Sequence, residues 1–158
     1  MNVIEAQIAA LERNLRVIKL QTDGLSDADA LIQPPFRGNC MNWIIGHILY
    51  FRSRILQTLG DTFHWSDMVI RLYQRESDPI TGAADGILPL SLLLRDLESI
   101  QEPLIARLRQ ATPDELARVI GEVGTVEDVV CRLVWHETYH LGQLELLRQL
   151  AGKNDKVI

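Results

Sequence analysis

Apolar residues recur every three or four positions along most of this chain, the spacing that gives an α-helix one buried face. From Val3 to Leu20 the stripe is Ile4, Ile8, Leu11, Leu15 and Ile18, with Glu5, Glu12, Arg13 and Lys19 elsewhere around the helix. Thr22-Asp23-Gly24 ends it, Ser26 is placed to cap a short turn over Asp27 to Leu31, and Pro34-Pro35 forbids helix in the loop that runs to Cys40. A second long helix is predicted from near Met41 to Leu59, with Asn39 as N-cap and Gly60 as its stop. Ile44, Ile48, Phe51 and Ile55 form its main stripe, but Ile45, Leu49 and Leu56 occupy the other side. Such a helix needs neighbours on several sides. Gly60 to Pro89 is irregular, apart from a short capped helix predicted within Ser66 to Glu76 using Met68, Leu72 and Tyr73. A connection of that length can cross over, letting the long helices on either side run parallel.

The third long helix is predicted over Leu90–Gln110, with Leu90, Leu93, Leu94, Leu97, Ile100, Leu104 and Leu108 on one face and Pro103 expected to kink or divide it. Ala111 to Leu116 reads as a cap and a short turn of helix, followed by a loop through Gly121 and Gly124. Thr125 is the expected N-cap of the last helix, which runs to Ala151 with Gly152 just beyond it. Its expected buried face is Val126, Val129, Val130, Leu133, Leu144, Leu147 and Ala151. A second stripe, Trp135, Tyr139, Gly142, Leu146 and Leu150, lies either under the crossover or in a dimer contact. Nowhere does the pattern alternate as a strand would. The prediction is an all-α fold, a four-helix bundle with a long crossover between the second and third long helices, in one domain over residues 1–158.

Charge narrows the partners. The net charge is -5, from 16 basic and 21 acidic residues, with no basic block of the sort that grips phosphates, so nucleic acid is not an expected partner. No run approaches the ~20 apolar residues of a membrane span. Met1-Asn2-Val3-Ile4-Glu5-Ala6 lacks the basic and apolar regions of a signal peptide. A cytoplasmic protein is expected. Cys40 and Cys131 form no CxxC pair and are read as small apolar residues rather than as a disulfide.

The chemistry concentrates in three histidines. His136 and His140, four apart on the last helix, lie about 40° apart around its axis and one turn along it, so both can reach one atom. His47 sits in a core-facing stretch of the second long helix. Burial penalises protonated imidazole, and three neutral rings meeting without an acid want a cation. Zinc, nickel, copper or iron(II) would suit them, and three ligands leave a coordination position open. His64, Asp61 and Asp67 belong to the crossover and read as surface or lid residues. Gln143 is one turn beyond His140, in reach of a ligand or substrate, or else an amide bonded to a loop. Cys40 lies two turns, ~10 Å, before His47 and cannot share a metal with it.

His136-Glu137-Thr138-Tyr139-His140 also fits H-E-x-x-H, in which the glutamate is a metalloprotease's general base. Yet no histidine follows His140, Glu145 is too close on the same helix to turn inward, and no strand offers an edge to an extended peptide. Asn42-Trp43-Ile44-Ile45-Gly46-His47, together with Trp135-His136-Glu137-Thr138-Tyr139-His140-Leu141-Gly142-Gln143-Leu144-Glu145-Leu146-Leu147-Arg148, instead resembles the DinB-like superfamily of metal-dependent enzymes. The resemblance implies an up-down-down-up bundle, His47, His136 and His140 as ligands to zinc, nickel or iron, and a homodimer. Glu137 is common at its position in that family, which does not by itself make it a catalytic base.

Relatives of that kind include S-transferases that use bacillithiol or mycothiol and a thiol-dependent isomerase. The resemblance therefore implies an enzyme acting on a small molecule, a thiol-dependent transferase or a hydrolase, with a low-molecular-weight thiol as a second cofactor. Gln143, Glu137 and His64 are its candidate catalytic residues, and Arg37, Arg52, Arg54 and Arg132 are the cations available to an acidic thiol. The competing expectation is a non-enzymatic, stress-related dimer whose metal is structural or vestigial.

Overall fold

A computed structural model describes residues 2–82 and 85–155. The predicted 1–158 span and the crossover are thus described except for Met1, residues 83–84 and residues 156–158. The described residues form α1 (Val3–Thr22), α2 (Asp27–Ala30), α3 (Met41–Thr58), α4 (Asp67–Tyr73), α5 (Leu90–Gln110), α6 (Pro113–Ala117), a 3₁₀ turn at Gly121–Val123 and α7 (Val126–Leu150). No strand occurs among them, only an isolated bridge between Val119 and Thr125.

Side chains start most of these helices. Asn2, Ser26, Ser66, Thr112 and Thr125 each accept a hydrogen bond from a backbone N–H of the first turn. Ser26, Thr112 and Thr125 form reciprocal capping boxes with Asp29, Glu115 and Asp128. At α3 the expected cap moves by one residue. Cys40, not Asn39, is the extended residue before the helix, and it makes no side-chain cap. Its thiol is buried and lies 3.7 Å from the Ile80 carbonyl, so the chain enters α3 through the core rather than from solvent. The start of α5 is capped from outside, by Asp27 Oδ1 accepting from the Leu90 N–H at 2.7 Å. Pro103 does not divide α5. Both Pro103 and Ser99, whose carbonyl loses its helical donor at Pro103, face solvent, where water can satisfy that carbonyl.

Helix α3 is the axis of the core. Every residue from Met41 to Leu49 is buried, because α5, α7, α4 and α2 all pack against it. Around it α1 packs on α7 and α5, which closes a ring of the four long helices. On α7 the buried face is rotated slightly from the predicted one. Val134 and Leu141 join it while Leu133 and Ala151 are only half-buried. The second stripe is not covered by the crossover: Trp135 is 67% exposed, and Tyr139, Leu146 and Leu150 are exposed beside it.

Two buried charges tie helices far apart in sequence. Arg52 of α3 pairs with Glu137 of α7 through two bonds, Nε to Oε2 at 2.9 Å and Nη2 to Oε1 at 2.7 Å. The same guanidinium donates to the Leu11 carbonyl of α1 at 3.2 Å and to Gln101 Oε1 of α5. One side chain thus touches all four long helices at one level. Near the other end of α7, Arg148 donates to the carbonyls of Gln21 and Asp23 at 3.1 and 2.7 Å.

The crossover is docked on α3 by polar groups. Trp43 Nε1 donates to Ser77 Oγ at 2.8 Å and Asn42 Nδ2 to the Leu88 carbonyl at 2.8 Å. Tyr73 fills the space that a side chain at position 46 would occupy: a Cβ on Gly46 would lie 2.6 Å from Tyr73 Cγ. Glycine there is what lets α4 approach the helix that carries His47.

Candidate metal centre

The packing of α3 on α7 brings three imidazoles together. One ligand nitrogen each from His47, His136 and His140 lies within 4.8 Å of the others, and no carboxylate or thiol joins this cluster among the described residues. His136 Nε2 and His140 Nε2 are 3.1 Å apart. Neighbouring nitrogens on a tetrahedral zinc, each ~2.0–2.1 Å from the ion, sit roughly 3.3–3.4 Å from each other. The pair on α7 therefore already has a chelating span, and α3 supplies the third donor.

Hydrogen bonds orient two of the rings. His47 Nδ1 is 2.6 Å from the Tyr73 carbonyl, which only accepts, so Nδ1 carries the proton and the Nε2 lone pair faces the cluster. His140 Nδ1 is 2.6 Å from Gln143 Oε1, which imposes the same tautomer on the second ring. Donation of the outer N–H to a carbonyl is how metal-bound histidines are usually held.

Burial keeps the rings neutral. It pushes His47 down to about 4, opposed by the bond to the Tyr73 carbonyl and helped by the other two imidazoles. His136 is likewise pushed down to about 4, by burial first and then by His140 and Arg75. His140 is lowered by burial against the opposing pull of Gln143 and Glu137. Near pH 7 each ring is neutral and keeps one lone pair that a cation can take.

Aromatic rings wall the cluster. Trp43 stacks on His47 with ring centroids 4.2 Å apart, and Phe51 stands edge-on to both His47 and His136 at 4.7 Å. Tyr139 meets His140 at 5.4 Å. His47 and His140 are 3% and 7% exposed, whereas His136 is half-buried, so solvent reaches the cluster on the His136 side.

The other residues singled out in the sequence have separate places. Gln143 bonds His140, as a second layer behind the ring. Glu137 lies between the two histidines in sequence, but both its oxygens are held by Arg52. Arg52 is accordingly buried in that pair and is not available to an acidic thiol, while Arg37, Arg54 and Arg132 are exposed. His64 is exposed, 3.4 Å from Thr62 Oγ1, and Asp61 and Asp67 are exposed with it. Cys40 faces Ile80 rather than the cluster, and Cys131 is half-buried; both are free thiols. Two participants escaped the sequence reading. The Tyr73 carbonyl has no sequence signal, because every residue carries one. Arg75, whose charge helps to lower His136, fell at the end of the short helix predicted within Ser66 to Glu76, where nothing in the pattern linked it to that histidine; the helix in fact stops at Tyr73.

The donor set fits a divalent transition metal: three neutral nitrogens, two of them in a fixed tautomer, converge on one point. None of the curated proteins compared with this chain matches it. The family model of the DinB superfamily matches residues 10–144, a span that starts in α1 and includes His47, His136 and His140. With its helical fold and its three histidines meeting between α3 and α7, this chain belongs to the DinB superfamily.

Proposed function

We propose that this protein is a metal-dependent enzyme acting on a small molecule, with zinc, nickel or iron held by Nε2 of His47, His136 and His140. The observation that carries this reading is the pair of 2.6 Å bonds from His47 Nδ1 to the Tyr73 carbonyl and from His140 Nδ1 to Gln143. They spend the only proton of each neutral ring on the outside and leave the inner nitrogen to a cation. A three-histidine metal with an open position lowers the pKa of a bound water or thiol and supplies a nucleophile near neutral pH. Thiol-dependent transfer and hydrolysis are the two reactions that fit. Glu137, held by Arg52, contributes to neither as a base. Arg75, an exposed cation whose charge lowers His136 and which lies 3.4 Å from Glu76 Oε1, is the candidate to meet an anionic substrate or thiol.

The helix order of this reading is up-down-down-up. Asn14 with Thr138 and Gln21 with Glu145 climb α1 and α7 together, while Glu5 with Arg109 and Lys19 with Glu98 run α1 against α5. His47 beside His140 and Arg52 beside Glu137 set α3 against α7. We take residues 1–158 as one such bundle, working as a homodimer through the exposed stripe of α7, in the cytoplasm, where free thiols persist. No described helix is long and apolar enough to cross a membrane.

The alternative, a non-enzymatic dimer with a structural metal, is favoured by the depth of His47 and His140. Metal analysis of wild type beside His47→Ala, His136→Ala and His140→Ala tests the site itself. Each variant should lose bound metal, and equal content in all four proteins would refute it. Azide or imidazole titrated into the cobalt-loaded protein then separates the two readings. A shifted visible spectrum marks an exchangeable position, and an unmoved one favours the structural metal. A metal-dependent rate with one thiol and an electrophile would establish transfer; a thiol-independent rate would establish hydrolysis.

A further inference from the structure

Tyr73 is fully buried and is the last residue of α4, where a helix leaves its carbonyl without an intrahelical donor. That carbonyl takes the His47 Nδ1–H at 2.6 Å. The hydroxyl of the same residue donates to Asn42 Oδ1 at 2.9 Å and accepts from the Leu88 N–H at 3.2 Å. Burial pushes the phenol up to about 12, so it remains a donor throughout the neutral range. Asn42 closes the ring of bonds by donating to the Leu88 carbonyl at 2.8 Å. The Tyr73 ring meanwhile rests on Gly46, the residue before His47. Backbone, ring and hydroxyl of one residue thus grip α3 at positions 42, 46 and 47.

We propose that Tyr73 is a positioning residue for the metal centre: its hydroxyl locks the crossover to Asn42 and Leu88, and this sets the carbonyl that aims His47 at the cation. The proposal rests on the reading of His47 as a ligand. The carbonyl cannot be deleted by mutation, but the lock that places it can. If the lock loosens, α4 is free to drift from Gly46, His47 loses its fixed tautomer and direction, and the third donor must be ordered by the metal itself. Removal of a group that orients a ligand typically weakens metal binding by about 10–100-fold. An indirect lock should fall at the lower end.

Tyr73→Phe keeps the ring against Gly46 and removes only the hydroxyl. Asn42→Ala opens the same ring of bonds from α3. Zinc affinity by chelator competition and the visible spectrum of the cobalt-loaded protein are measured for both, beside Leu108→Ala, a destabilised control at the end of α5. Thermal unfolding of the metal-free proteins measures the loss of stability in each. The expected result is about tenfold weaker zinc binding and a broadened cobalt spectrum in Tyr73→Phe and Asn42→Ala, with Leu108→Ala at wild-type affinity despite its lower stability. Wild-type affinity and spectrum in both crossover variants, with His47→Ala losing the metal, would overturn the positioning role and leave the metal site standing. Metal retained by His47→Ala would overturn the site and this proposal together.

Discussion

The buried pair of Arg52 and Glu137 allows a quantitative test of what the glutamate between the two histidines does. The side chains are 1% and 3% exposed and joined by two short bonds, so neither charge has water to fall back on. Arg52→Met leaves the carboxylate buried with no counter-charge and also strips donors from the Leu11 carbonyl and Gln101. Breaking such a pair from one side costs about 3–5 kcal/mol. For a chain of this length each kcal/mol is worth roughly 2–4 °C, which gives a fall in Tm of roughly 6–20 °C. Glu137→Gln should cost less, because the amide oxygen still accepts from Arg52 and two other acceptors stay in place. The double variant Arg52→Met/Glu137→Leu removes both charges, and apolar replacements of buried pairs are often close to neutral. It should therefore recover most of the loss, so that in a double-mutant cycle the summed single costs exceed the double variant's by at least about 3 kcal/mol. Urea unfolding of metal-free wild type, Arg52→Met, Glu137→Leu and the double variant measures it. Additive losses, or single variants that each cost under about 1 kcal/mol, would show that the pair does not hold the helices together. Glu137→Gln should also bind zinc like the wild type, since its carboxylate points at Arg52. Loss of the metal in that variant at unchanged stability would return Glu137 to the metal centre.

Three further predictions follow from particular contacts. Gly46→Ala drives a methyl to 2.6 Å from Tyr73 Cγ and should destabilise the fold by about 1–3 kcal/mol, with α4 the first segment to gain amide exchange; a stability equal to wild type would deny the close approach of α4. His47, whose folded pKa is pushed down to about 4 from 6.5, takes up a proton in the unfolded chain first. The metal-free protein should therefore lose on the order of 3 kcal/mol through this group as pH falls from about 6.5 to 4, and nothing through it above that window. Urea unfolding between pH 7.5 and 4.5 should show a flatter pH dependence in His47→Phe, and an equal slope in both proteins would refute the assignment. Trp135→Glu combined with Tyr139→Glu places two charges on the exposed stripe of α7 and should shift the mass measured by light scattering from dimer to monomer with little change in Tm; an unchanged dimer would move the interface elsewhere.

What local pattern can specify was legible before any coordinates. The 3.6-residue spacing located all four long helices, and the observed bounds of α5 are the predicted ones. Ser26, Ser66, Thr112 and Thr125 announced helix starts because a cap acts within three residues of itself. His136 and His140 were readable as a pair for the same reason. Their four-residue spacing is geometry carried by one helix.

Tertiary structure decided everything that depends on which faces meet. In the sequence Arg52 reads as a cation available to an acidic thiol and Glu137 as a candidate catalytic residue, and only the closing of α3 on α7 made them one buried ion pair across the fold. Asn39 is as good a cap as its neighbours by residue type, but burial of Cys40 against Ile80 set where α3 begins. Helical period allowed the stripe of Trp135 and Tyr139 to be covered or bare, and the path of the crossover left it bare. His47 required an acceptor behind its ring, and the fold supplied a backbone carbonyl, a group present at every residue and so invisible as a motif. Periodicity and capping are written over a few residues, where sequence is the whole cause. Long-range partners are selected by packing, through surfaces that no single stretch of chain contains.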